Sequence, residues 1–69
     1  MQSVSFHLYQ VDDEAEEQEV LHKLSNIPGV RYVHGDHETK IFAVQWSEPA
    51  TLNDIKLALA EMHYTPDYP

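Results

Sequence analysis

Ten residues, Val11-Asp12-Asp13-Glu14-Ala15-Glu16-Glu17-Gln18-Glu19-Val20, separate a stretch of period two from a stretch of helical period, and six of them are carboxylates. Before them, Val4, Phe6 and Leu8 alternate with Ser3, Ser5, His7 and Tyr9. Alternation sends successive side chains to opposite faces, so residues 3–10 read as a half-buried strand, with Val11 tucked beneath the next helix. After them, Val20, Leu21, Leu24 and Ile27 form a helical stripe, with Gln18, Glu19, His22 and Lys23 on wetter faces. Asp12 or Asp13 suits the N-cap, and Asp13 with Glu16 three residues later resembles a capping box. Acids in the first turn also match the positive end of the helix dipole. Asn26, Pro28 and Gly29 end the helix, because Pro28 cannot continue it and Gly29 permits a reversal.

Val30 to Gly35 reads as a second strand and Lys40 to Trp46 as a third, joined by the short polar loop Asp36-His37-Glu38-Thr39. Phe42, Val44 and Trp46 are expected in the core, with Ile41, Ala43 and Gln45 on the other face. Gly35, near a strand end, is expected to mark a bulge or bend. Ser47 to Ala50 is a loop. Thr51 caps a second helix with Asp54 completing the box, and Leu52, Ile55, Ala58, Leu59 and Met62 make its apolar stripe. Two prolines in the tail from His63 to Pro69 remove ladder donors, so a last strand is short or absent and lies at an edge. The order β-α-β-β-α with this stub describes one α+β domain over residues 1–69. It has a ferredoxin-like antiparallel sheet and both helices on one face.

Composition removes several function classes. With no cysteine, the chain has no disulfide, thiolate metal site or cysteine nucleophile. Twelve acidic against four basic residues give a net charge of −8, which phosphates repel, so nucleic acid is not an expected partner. No apolar run reaches the roughly 18 residues of a membrane span, and no secretory leader pattern opens the chain, so a cytoplasmic location and no membrane partner are expected. No nucleophile–base pair is suggested by spacing, and a small domain seldom builds a substrate cleft, so no enzymatic activity and no cofactor are expected. An acidic surface suits cationic partners, either metal ions or the basic patch of another protein. Charge that serves solubility alone is the competing reading.

The chain resembles the heavy-metal-associated domains, the copper-chaperone-like modules of metal transport. Val20, Leu21 and Leu24 followed by Ile27-Pro28-Gly29-Val30 are similar to that family's first helix and the turn after it. Tyr32-Val33 and the Lys40 to Val44 strand match its hairpin. Thr51-Leu52-Asn53-Asp54-Ile55 through Leu59, Met62 and Tyr64 match its second helix and the tyrosine beyond. The resemblance covers nearly the whole chain and is carried by core positions. The family binds soft metals through a Met-x-Cys-x-x-Cys loop, and those positions fall here on Val11, Asp13 and Glu16. His63 stands where the family has glycine beside the tyrosine. Cu(I) prefers thiolate and thioether ligands, so two carboxylates do not replace the thiolates.

The resemblance implies electrostatic docking on a protein partner with a basic surface, for which Asp12, Asp13, Glu14, Glu16 and Glu17 are the candidate residues. It also places the loop after the second helix beside the metal loop, so Asp13, Glu16 and His63 are the candidate weak site for Zn²⁺ or another divalent ion. A helix cap explains Asp13 and Glu16 without a metal. His34 and His37 read as solvated hairpin histidines rather than ligands. His7, Tyr9, Tyr32, Ile41 and Ala43 are expected on the open face of the sheet, where an apolar strip signals a protein contact. If the last strand is short, the first strand is a bare edge suited to homodimerisation or strand addition. A regulatory domain binding a small molecule between subunits is a third reading, without a glycine-rich ligand turn to support it.

Overall fold

The computed structural model describes residues 1–67. The elements run β1 (Gln2–His7), α1 (Glu14–Ser25), β2 (Val30–Gly35), β3 (Ile41–Trp46) and α2 (Leu52–Glu61). The sheet is antiparallel with order β1-β3-β2, so the chain crosses over through α1 before β3 enters between its neighbours. This is the expected ferredoxin-like arrangement. The first strand is shorter than the alternation suggested: it stops at His7, and Tyr9 and Gln10 turn away. Leu8 nonetheless stays fully buried, and its N–H still reaches the Lys40 carbonyl at 2.9 Å. β3 begins at Ile41 because Lys40 has φ +66, a left-handed conformation that cannot extend a strand.

One face of the sheet carries the core. Phe6, Leu8, Phe42, Val44 and Trp46 pack against Val20 and Leu24 of α1 and Ile55, Ala58 and Leu59 of α2. Val11 is fully buried in the same cluster, as its position after the first strand suggested. Burying these side chains is the main favourable term for so small a domain. α2 opens on the expected box: Thr51 Oγ1 accepts from the Asp54 N–H at 3.2 Å, and Asp54 Oδ2 accepts from the Thr51 N–H at 3.0 Å. The two orphan donors satisfy each other's residues.

The bulge lies elsewhere than expected. The β2–β3 register shifts between Val30 and Tyr32, whereas Gly35 pairs regularly with Phe42. The physical demand at Gly35 is space rather than a bend. A Cβ there would stand 2.0 Å from Phe42 Cδ2, so glycine lets the buried ring lie flat on the neighbouring strand.

The last strand is reduced to one bridge. His7 and Asp67 exchange two backbone hydrogen bonds of 2.8 Å on the outer side of β1. Ser5 and Ser3 share the parity of His7, so their backbone groups point the same way, beyond the single bridge. Tyr68 and Pro69, the end of the expected tail, lie outside the described residues.

Candidate functional site

The loop before α1 is held from within. The Lys40 ammonium donates to the Val11 carbonyl and sits 3.3 Å from Asp12 Oδ1. Asp13 is extended (φ −141, ψ 173) and caps α1, its Oδ1 accepting from the Glu16 N–H at 2.8 Å. Glu16 returns the contact one residue earlier than a capping box requires, accepting from the Asp12 N–H at 3.3 Å. Its other carboxylate oxygen accepts from the Tyr64 hydroxyl at 3.2 Å. Burial, and then the bond to Glu16, push the Tyr64 pKa upward, so the hydroxyl stays protonated and remains a donor.

These contacts decide what the loop can hold. At the three positions on which the family's loop motif falls, Val11 is a core side chain, Asp13 is a cap and Glu16 bridges two segments. None offers a soft donor, so the residues do not fit Cu(I). His63 is exposed, in a left-handed conformation (φ +65) just past α2. Its N–H donates to the Ala60 carbonyl at 3.0 Å and the Tyr64 N–H to the Leu59 carbonyl at 3.0 Å, so His63 is part of the helix stop. The Tyr64–Glu16 bond brings this segment against the start of α1, but Asp13, Glu16 and His63 do not gather their donor atoms within 4.8 Å.

A left-handed residue at a helix end is the place for glycine. Strain of about 1–2 kcal/mol in a non-glycine residue there is partly offset by glycine's larger unfolded-state entropy. His63→Gly is therefore expected to stabilise the domain by roughly 0.5–1 kcal/mol, read as a higher urea midpoint at unchanged slope.

The structure brings together a pair that local pattern did not reveal. Glu17 Oε1 accepts from the His37 N–H at 2.8 Å and lies 3.0 Å from His37 Nδ1. His37 is thus docked on α1 rather than solvated, while His34 stays exposed and stacks on Tyr32 with centroids 6.5 Å apart. The side-chain hydrogen bond from His37 lowers the Glu17 pKa from its ordinary 4.5, and the same bond raises the His37 pKa from 6.5. Asp36 and Glu38 add to the negative potential at the imidazole.

The two shifts set opposite limits. The His37 contribution is complete below pH 6.5 and is lost as pH rises through its raised folded value. The Glu17 contribution is complete above pH 4.5 and is lost as pH falls through its lowered folded value. In chelator-treated buffer the stability advantage of the wild type over His37→Gln is therefore expected to be larger near pH ~5.5 than near pH ~8.5. Paired urea melts check it; equal differences at the two pH values would show that the charged pair adds nothing to stability.

The proposed docking carboxylates are unequal in availability. Asp12 has a side chain 80% exposed despite Lys40. Glu14 is exposed and, among the described residues, its side chain makes no hydrogen bond or ion pair. Asp13, Glu16 and Glu17 are engaged in the cap, the Tyr64 tether and the His37 pair. The open sheet face carries the side chains anticipated for it: Tyr9, Tyr32 and Ile41 are exposed, and His7 stacks on Tyr9 with centroids 5.3 Å apart. Among the described residues no helix is long and apolar enough to cross a membrane.

No protein-family model matches this sequence, and no curated protein matches it. Solved structures do. Oxidized MerP from Ralstonia metallidurans CH34 superposes with a TM-score of 0.86 at 20% identity, over 97% of this chain and 94% of that one. Apo-CopP from Helicobacter pylori gives 0.83 at 22% identity, over 94% and 98%. A copper binding domain from HMA7, a P-type ATPase, gives 0.89 at 16% identity, over 100% and 95%. The chain has the ferredoxin-like fold of these structures, the fold of the family its core positions resemble, and it has no cysteine.

Proposed function

We propose that this chain is a non-enzymatic, cytosolic docking module that meets a basic surface on another protein through Asp12, Asp13, Glu14, Glu16 and Glu17. The observation that carries the reading is the self-satisfied loop: the segment standing where the resembling family has its metal loop is built as a helix cap, with Asp12 and Glu14 turned to solvent. The net charge of −8 supplies the long-range attraction that steers a basic partner. Two of the similar structures are named as metallochaperones, and one is a domain of a P-type ATPase, which suits a role in protein contact within metal transport.

The test begins with a binder captured from the source cell, which is then purified and titrated against the ¹⁵N-labelled domain. The expected shifts centre on residues 12–17, weaken steeply with salt, survive chelator and fall away in the double variant Asp12→Lys, Glu14→Lys. Shifts confined to the open sheet face, or binding indifferent to salt and to that variant, would overturn the acidic-loop reading. A second copy pairing along β1 is a further partner, favoured by the outward-pointing backbone of Ser3 and Ser5. A clean monomer in sedimentation at high micromolar concentration would exclude it.

The second functional reading is weak divalent-metal binding at Asp13, Glu16 and His63. Its support is the Tyr64–Glu16 hydrogen bond, which holds the segment after α2 against the α1 cap. Metal at this site would be lost in chelator, whereas docking would persist.

A further inference from the structure

We infer that Glu17, Asp36 and His37 form a divalent-cation site joining the first turn of α1 to the β2–β3 hairpin. This site shares no residue with the loop positions Asp13, Glu16 and His63; it shares Glu17 with the docking carboxylates, and it stands whether or not they meet a partner. One donor atom from each of the three side chains lies within 4.8 Å of the other two. Around an ion with bonds of about 2.0–2.2 Å, neighbouring ligand atoms stand roughly 3–4 Å apart, so only a small contraction separates this cluster from a coordination shell. His37 Nδ1 and Glu17 Oε1, at 3.0 Å, have the spacing of adjacent ligands, and a bound ion takes the place of the proton between them, which is released to solvent.

The backbone holds the donors in place. Glu17 Oε1 is anchored by the His37 N–H at 2.8 Å, and Asp36 Oδ1 by the Glu38 N–H at 2.8 Å. The Asp36 N–H donates to the Ile41 carbonyl at 3.2 Å, closing the hairpin beneath them. Little conformational freedom remains for an ion to remove.

Two carboxylates alone would be a solvated acidic patch. The imidazole changes the donor set, and Glu17 and His37 are sheltered, with side chains 13% and 28% exposed. The fold also holds two carboxylates close together against their repulsion, which a dication between them relieves. One nitrogen and two oxygens, with water completing the shell, suit Zn²⁺ and its first-row neighbours. The set is too hard for Cu(I) and too small for the six to eight oxygens that Ca²⁺ takes.

The probe is Zn²⁺ added to the ¹³C,¹⁵N-labelled protein, with histidine ring and amide signals followed together. The expected result is saturable movement of the His37 ring and of the amides of Glu17, Asp36 and His37, reversed by EDTA. Glu17→Gln and Asp36→Asn keep an oxygen acceptor for each backbone N–H, and each is expected to weaken binding by about tenfold or more. His63→Gly is expected to leave it unchanged. Equal movement of all five histidines, no movement, or affinity untouched by both carboxamide variants would overturn the site. Should Glu17→Gln disturb the hairpin, Asp36→Asn decides, because it leaves the Glu17–His37 bond in place.

Discussion

Gly29→Ala is expected to remove most of the stability of the folded domain. Gly29 has φ +98, and a Cβ built there stands 2.5 Å from the Ser47 carbonyl oxygen and 2.6 Å from the Ala50 nitrogen. Both obstacles are backbone, so no side-chain rotation relieves them. The Ser47 N–H also donates to the Gly29 carbonyl at 2.9 Å, which fixes the two segments at this separation. Unfavourable φ and overpacking each cost about 1–3 kcal/mol. Their combined effect of roughly 3 kcal/mol or more compares with the 3–5 kcal/mol a core of this size supplies. Chemical denaturation is the check: a variant that melts within ~1 kcal/mol of the wild type would mean that the turn after α1 can open without cost.

Phe42→Ala is expected to cost about 3–5 kcal/mol. The ring is fully buried near the start of the middle strand, with Phe6 on one side at a centroid distance of 6.4 Å and the bare face of Gly35 on the other. Neither neighbour can collapse into the space, since Phe6 is packed and Gly35 has no side chain. Gly35→Ala on its own meets the ring head-on and should destabilise by about 1–3 kcal/mol. Combined with Phe42→Leu, it should cost less than the sum, because the smaller side chain vacates the contested volume. Additive losses in that cycle would show that Gly35 is required for another reason.

The fold was legible because its elements are locally consistent. Period two in Val4, Phe6 and Leu8, helical spacing in Val20 and Leu24, and the Thr51–Asp54 box each point to the element that forms. The capping role of Asp13 came from the same kind of short-range pattern. What depends on three-dimensional approach was hidden. Gly35 suggests a bulge to anyone counting residues, yet it serves a ring on the next strand. Glu17 and His37 are 20 residues apart, and only the packing of the hairpin against α1 brings them together. The one available hint was a polar hairpin ending a strand beside an acidic helix start. The Glu16–Tyr64 bond spans 48 residues and had no sequence signal beyond the family resemblance that set the two loops side by side. That resemblance marked where the family's metal loop would fall, on Val11, Asp13 and Glu16, and these residues carry no soft donor.

The loop from Val11 to Glu16 is built as a closed helix cap, which offers no soft-donor cradle for Cu(I). The direct measurement is an anaerobic amide NMR titration of the ¹⁵N-labelled protein with Cu(I). The signals of Val11, Asp13, Glu16 and His63 are expected to stay in place through a molar excess of metal. Saturable, stoichiometric shifts confined to those four residues would contradict the claim and return the loop to metal binding.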